Sequence, residues 1–425
     1  MSRHGGGAAV GVAGVIAAVV GLVSLLIAAR VLTIADNSRF SVFWAVLFFG
    51  YAVVAGLAVE TTRITSPTDS DMQLRSVGPT VASLMVPILM MILLISGLTM
   101  PAWRMAVPAF KHDDGWLLGI ALVIGITGYA GQSFTAGALT GAGRLHIYAA
   151  MLFAEAGSRL ILLLVVALLR PTVVALAFAV VAAELVWAVI LLPNRNVRMI
   201  LAERIGESKR QFVKRSALAM IGLGVSSVLV VGFSWLLDLT TPDAILLGAA
   251  PLMLAISLTR APIMVPISAL YNVVVAYFVR ARARRSRMMT VMLTSITAIG
   301  LVGAILAWWI GPWLLGLLRA DYVLPGLTLS ALTLGAMCTA MITVTGVVCQ
   351  ASARYTQYLV GWLVAVAVAV AMLCLPLPIG TRAVLALIVG PVCGMATHLA
   401  FIWRSHDVAS LSVPDEPSSL TPDSP

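Results

Sequence analysis

Long apolar runs follow one another along the chain to about residue 404, each cut off by a short polar, charged or Gly/Pro-bearing segment. A run of about 20 apolar residues, at ~1.5 Å per helical residue, is long enough to cross a hydrocarbon core of roughly 30 Å. Twelve such runs are read, at 8–29, 38–59, 77–99, 115–139, 148–169, 172–192, 216–237, 244–270, 288–312, 324–349, 355–377 and 381–403. The alternating short strands of an outer-membrane barrel are absent, and a lipid-facing helix satisfies its own backbone. The pattern predicts an all-α polytopic membrane protein.

Composition agrees, since 61% of the 425 residues are hydrophobic and 10% charged, with a mean hydropathy of +1.04. The net charge of +10 invites a nucleic-acid reading until the cations are placed. The segment 193–215 holds Arg195, Arg198, Arg204, Lys209, Arg210, Lys214 and Arg215, and the run RARARRSR at 280–287 holds five arginines. With twelve spans and the N-terminus inside, inner segments collect 18 Lys and Arg and outer loops 7, which is the positive-inside asymmetry. These clusters therefore read as topology signals touching anionic lipid, and no nucleic-acid partner is expected.

Two short motifs recur in register. GAGRLHIY at 141–148 returns as ASARYTQY at 351–358, and LTIAD at 32–36 returns as LTTPD at 239–243. Each pair falls in corresponding loops of two six-helix sets, so the chain reads as a duplication. An even number of spans per half makes the halves parallel, the plan of many transporters, with a site between bundles that rock against each other. The expected division is an N-terminal six-helix bundle at 1–193, a basic cytoplasmic linker at 194–215, a C-terminal six-helix bundle at 216–404 and a disordered acidic cytoplasmic tail at 405–425. In the first motif, small residues end one helix, Arg144 or Arg354 holds the inner interface, and Tyr148 or Tyr358 seats the next helix among headgroups.

An ionisable side chain at mid-membrane costs roughly 2.5–3.5 kcal/mol on insertion scales, so each is a candidate for function. Glu155 and Arg159 are four apart on span 5, acid first, and Glu184 lies near the midplane of span 6. Mutual neutralisation that locks two spans and a role in ion coupling are both open for this group. Arg260, in SLTRAPIMVP, has no acid nearby in sequence; Pro262 and Pro266 predict a bend or break there, and a guanidinium facing a cavity suits phosphate. Glu60 and Arg63, in VETTRI, are read either as the inner mouth of a cavity or as an interfacial pair. Arg30 is expected to anchor the outer interface, and His398 to be either a hydrogen-bonded packing residue or a proton carrier.

The stretch RVLTIADNSRFSVFWAVLFFGYAVVAGLAVETTR, with its aromatic second span closing on Glu-x-x-Arg, together with LTRAPIMVP in span 8, resembles the Wzx-like polysaccharide flippases. These belong to the multidrug/oligosaccharidyl-lipid/polysaccharide (MOP) exporter superfamily. The resemblance runs over about residues 8–404. It implies two six-helix bundles around a central cavity in a bacterial inner membrane, and transfer of a polyprenyl-pyrophosphate-linked oligosaccharide from inner to outer leaflet. Its partners would be that lipid-linked glycan, membrane lipids and enzymes of polysaccharide biosynthesis. Cavity cations in such flippases would correspond here to Arg260, Arg159 and Arg63, with Glu155, Glu184 and Glu60 as the ion-coupling or charge network.

Other readings are weighed against it. A drug or cation antiporter of the same superfamily typically uses a carboxylate in an early span; span 1 has none, although Glu155 and Glu184 could substitute. The loop RITSPTDSDMQLRS lacks the Gly-x-x-x-Asp-Arg-x-Gly pattern of major facilitator transporters. A membrane glycan polymerase or ligase would need a large outer loop, and the longest here, about 100–114, is short. No nucleophile and base constellation, metal-ligand spacing or phosphate-binding glycine loop occurs in a plausible context, so neither catalysis nor a cofactor is expected. Cys338, Cys349, Cys374 and Cys393 read as packing residues. The first span is kept as a membrane helix rather than a signal peptide.

Overall fold

The computed structural model describes residues 3–66, 78–191, 193–264, 285–352 and 354–411. Pro266, residues 280–284 of the basic run and 412–425 of the tail lie outside them. The first bundle is built from α1 (Arg3–Val31), α2 (Ile34–Val54), α3 (Gly56–Thr65), α4 (Val81–Ala106), α5 (Gly115–Gly141), α6 (Leu145–Leu169), α7 (Val173–Ala183) and α8 (Val186–Leu191). A short connector, α9 (Arg195–Ala202), leads to α10 (Lys209–Val230), α11 (Phe233–Thr240) and α12 (Asp243–Leu246). Then come α13 (Ala250–Met264), α14 (Arg285–Leu318), α15 (Gly326–Ala351), α16 (Tyr355–Leu373) and α17 (Ile379–Leu411). Among the described residues ten helices are long and apolar enough to cross a membrane, and two shorter apolar ones, Val173–Val189 and Ala250–Met264, fall on spans 6 and 8. The chain is an all-α polytopic membrane protein of two parallel bundles.

Local chemistry sets the helix starts. The hydroxyl of Thr33 accepts from the Asp36 N–H at 3.1 Å, that of Thr80 from Ser83 at 3.2 Å, that of Thr172 from Ala175 at 3.2 Å and that of Ser208 from Gln211 at 3.3 Å. Each occupies a first-turn donor that the helix itself leaves unpaired. At the other end of the chain, α17 runs from Ile379 to Leu411 with Pro391 inside it.

The repeated motif folds the same way twice. Ala142 N–H donates to the Ala138 carbonyl at 3.0 Å and Arg144 N–H to Leu139 at 2.8 Å, while 210 positions on Ser352 donates to Val348 at 3.1 Å and Arg354 to Cys349 at 2.9 Å. Both arginines sit at the N-cap of the next helix with closely similar backbone angles, −89°/49° and −102°/61°. Gly143 has φ 71°, where a side chain would be strained, which explains glycine in the first copy. The tyrosines do not face headgroups as expected. Tyr358 is buried and stacked on His398 with ring centroids 6.3 Å apart, and Tyr148 packs into the inner core of the first bundle.

Packing links the two bundles. One large continuous core joins α1, α2, α5, α6 and α7 to α10, α11, α13, α14, α15, α16 and α17. Smaller cores are separate from it, one centred on Leu57, Leu84, Phe134 and Phe212, the others on Ile296, Ala340, Met289 and Val347. The bundles thus share one large core, with smaller cores on one bundle or the other. The exception is α10, which lies against α2 and α3 of the first bundle. Gly56 permits that approach: a Cβ there would stand 2.5 Å from the Met220 backbone nitrogen.

Candidate functional site

Between the bundles lies a cavity of about 300 Å³, walled by α1 (Ala18, Leu22), α2 (Asn37, Ser41, Trp44, Phe48), the α10–α11 junction (Val230, Phe233, Ser234) and α13 (Met253, Ser257, Arg260). Arg159 of α6 also reaches its wall. Two of the three arginines singled out in the sequence are therefore brought to one cavity, although they lie a hundred residues apart in the chain.

Arg260 owes its position to a helix break in α10–α11; the bend or break expected at Pro262 and Pro266 falls partly outside the described residues. The α13 helix continues through Pro262 to Met264. The interruption is across the seam, where α10 ends at Val230 and α11 begins at Phe233. A helix that stops there leaves its last carbonyls without their i+4 donors. Arg260 Nη1 fills that gap, donating to the carbonyls of Leu229 at 2.9 Å and Val230 at 3.0 Å. The guanidinium carbon lies 5.3 Å from the Phe233 ring centroid, a cation–π contact. Its Nε and Nη2 are buried and have no partner among the described residues. The side chain is thus held by one nitrogen, and its other two are buried without a partner among the described residues.

Arg159 is placed differently. Its Nη2 donates to a carboxylate oxygen of Glu155, one turn earlier on α6, and to Glu184 Oε1 at 2.5 Å, beyond the end of α7. All three are almost fully buried. Tyr51 and Tyr129, stacked with centroids 4.3 Å apart, lie beside the group, and Phe48 takes the face of the guanidinium at 5.4 Å. With both acids ionised the trio carries one net negative charge. One guanidinium shared by two carboxylates leaves room for one more cation in a medium that penalises uncompensated charge.

Arg63 and Glu60 do not join the cavity. They pair with each other at 2.9 Å at the inner end of α3, and Arg63 also bonds Glu207, in the connector before α10; Glu207 in turn meets Arg215 at 3.6 Å. The cluster ties the first bundle to the connector. His398 is fixed on both ring nitrogens, Nδ1 3.0 Å from Thr345 Oγ1 and Nε2 3.1 Å from the Tyr358 carbonyl, which is the packing reading of that residue.

The sequence reading missed the cavity's apolar annex. A second space of about 730 Å³, bounded by α1 (Val19, Leu26), α13 (Leu258, Pro262) and α14 (Leu314, Leu317), shares Ala18, Leu22 and Ala261 with the cavity. The only signal was the absence of polar residues on the facing sides of those helices.

No family model matches the chain. The uncharacterized protein Rv1510 of Mycobacterium tuberculosis is 31% identical over 394 residues, covering 90% of this chain and 88% of that protein. The uncharacterized protein Rv3630 of the same organism is 31% identical over 406 residues, covering 94% and 92%. Among solved structures, the inward-facing conformation of a multidrug resistance MATE family transporter of the MOP superfamily superposes with a TM-score of 0.70 at 16% identity, covering 93% of this chain and 95% of that one. Its outward-facing conformation gives 0.64. The lipid II flippase MurJ, in an inward closed conformation, gives 0.70 at 12% identity, covering 92% and 87%.

Proposed function

Because the chain belongs to the family of the mycobacterial proteins Rv1510 and Rv3630 and carries the MOP exporter fold, we propose that it flips a polyprenyl-pyrophosphate-linked oligosaccharide from the inner to the outer leaflet of a bacterial cytoplasmic membrane, supplying cell-surface polysaccharide synthesis. The observation that carries the reading is Arg260: a buried guanidinium with two nitrogens unpartnered among the described residues, in a seam cavity that shares Ala18, Leu22 and Ala261 with an apolar space beside it. Such a pair of spaces suits an amphiphile whose anionic head enters the cavity while its hydrocarbon chain stays in lipid. Outer closure would give way to inner closure as the bundles rock. An anionic head moved outward is driven by an inside-negative potential at about 2.3 kcal/mol per charge per 100 mV.

A second reading rests on the Glu155–Arg159–Glu184 trio, whose charge imbalance suits coupling to a proton or cation, as in an antiporter. The deciding experiment is the mass spectrum of lipid-linked glycans in membranes depleted of the protein. Accumulation of a completed lipid-linked glycan on the inner leaflet, reversed by complementation, is expected. No accumulation, with surface glycan unchanged, would transfer the assignment to the antiporter.

A further inference from the structure

A third space lies on the opposite side of the bundle seam and has no lining residue in common with the arginine cavity. It is a groove of about 480 Å³ between Phe49 and Leu57 of α2 and α3, Met91 of α4, and Ala217 and Met220 of α10. It follows α10 from Val213 to Val228, roughly 22 Å at ~1.5 Å per residue, which is more than one leaflet of a ~30 Å hydrocarbon core. Its lining is apolar but for Ser216, which is buried and whose hydroxyl has no partner among the described residues.

The mouth of the groove is cationic. Lys209, Arg210 and Lys214 lie three, four or seven residues before groove-lining positions 213, 217 and 221, so helical register puts them on the same side of α10, in its first two turns. All three are exposed and form no ion pair among the described residues, whereas the neighbouring Arg215 is engaged by Glu207. An apolar trough one leaflet deep, an unpaired hydroxyl near its mouth and three free cations at the inner membrane surface match one chemical object from end to end.

We propose that this groove binds one anionic phospholipid of the inner leaflet, with an acyl chain along α10, ester oxygens at Ser216 and the phosphate at Lys209, Arg210 and Lys214. The substrate's hydrocarbon chain is assigned elsewhere, because the apolar space that shares lining residues with the Arg260 cavity is the one between α1, α13 and α14. Both bundles wall the groove, so its width depends on their relative tilt. A lipid seated there stabilises this arrangement of the bundles by mass action and makes the conformational equilibrium depend on the anionic lipid content of the membrane.

The test uses the full chain in vesicles containing phosphatidylglycerol with a photoreactive acyl chain, and in parallel phosphatidylcholine or polyprenyl phosphate with the same photoreactive group. Phosphatidylglycerol is expected to label the segment 213–228 about tenfold more than phosphatidylcholine, the order expected for several cations facing one anionic head. K209Q/R210Q/K214Q should abolish that preference, and Ala217→Phe, at an exposed position, should suppress labelling of the groove by either phospholipid. Equal labelling by the two phospholipids, preferential labelling by polyprenyl phosphate, or undiminished labelling of Ala217→Phe would overturn the proposal. The readout needs no transport, so it fails or succeeds independently of the flippase reading.

Discussion

Arg30 and Arg319 exchange helix ends across the two bundles. Arg30, in the last turn of α1, donates to the Leu318 carbonyl at the end of α14 at 2.8 Å, and Arg319, one residue later, donates back to the Leu32 and Ala29 carbonyls at the end of α1. Each cation sits where a helix dipole is negative and where carbonyls lack partners. Arg30, expected to anchor the outer interface, thus also makes a cross-bundle contact. Asn37 Nδ2 adds a bond to the Tyr322 hydroxyl at 2.8 Å beside them.

This double cap closes the outer end, so removing it should favour the outward-open state. Arg319→Ala is expected to raise labelling of Ser234→Cys in the cavity by a membrane-impermeant maleimide by about five- to thirtyfold, the effect of about 1–2 kcal/mol lost from a charge-assisted bond. Native Cys374 is exposed and must first be replaced. Unchanged labelling in Arg30→Ala and Arg319→Ala would mean that the shared core alone holds the closure.

Arg260 has a structural bond and two nitrogens without a partner among the described residues, and substitutions can separate these. Arg260→Lys keeps a cation able to reach the Leu229 and Val230 carbonyls but loses the planar fork that grips a phosphate with two donors. Abundance near wild type with transport reduced about tenfold or more is expected for Lys, and a larger loss for Ala, since one charge-assisted bond is worth about 1.5–3 kcal/mol. Accumulated lipid-linked glycan measured against membrane-inserted protein gives both quantities. Full activity of Arg260→Ala would remove this residue from the site.

How far the sequence carried depended on distance along the chain. The approximate places of the apolar helices were readable because apolar run length is a local property, but their ends were not: span 7, expected at 216–237, is a helix at 209–230, and span 2 breaks at Ala55. The Glu155–Arg159 pair was readable from its i,i+4 spacing. What pairs over long separations was not: Glu207 for Arg63, Leu318 for Arg30, and the carbonyls at 229–230 for Arg260 lie 144, 288 and 31–30 residues away. The break that places Arg260 shows the same limit. Proline marks where a helix loses a donor, yet α13 continues past Pro262, while the Val231–Gly232 break in α10 carries no proline and is completed by a side chain from another helix.

Asp238 predicts a pH effect at the outer face. It lies in α11, beyond the end of the spanning α10, fully buried, and accepts from the Ala109 N–H at 3.2 Å, joining the bundles. Burial pushes its carboxyl up to about 7; the Ala109 bond opposes the rise, nearby Asp243 adds to it and Lys111 offsets it. A carboxyl that titrates higher folded than unfolded binds its proton more tightly when folded, so its contribution is complete at low pH and is lost as pH rises towards 7. A rise of about three units corresponds to on the order of 4 kcal/mol as an upper bound. Wild type should therefore show a lower Tm in detergent at pH 8 than at pH 5. Asp238→Asn, whose amide oxygen can still accept from Ala109, should show a much smaller difference; an equal pH dependence in both proteins would assign the effect elsewhere.

The buried trio separates structural from coupling roles by sign. Arg159→Ala removes the cation that two buried carboxylates share, and breaking such a pair typically costs about 3–5 kcal/mol, so a sharp fall in folded, inserted protein is expected. Glu184→Gln removes one carboxylate and leaves Glu155 and Arg159 as a neutral pair, with an amide oxygen still able to accept from the guanidinium. If the excess negative charge exists only to hold helices together, Glu184→Gln should transport as wild type does. If it exists to take up a cation during each cycle, the variant should insert normally yet lose the response of transport to an imposed pH or ion gradient. The coupling role predicts the second result. It is checked in vesicles by measuring transport with and without the gradient, and an unchanged response in Glu184→Gln would leave the trio a structural element.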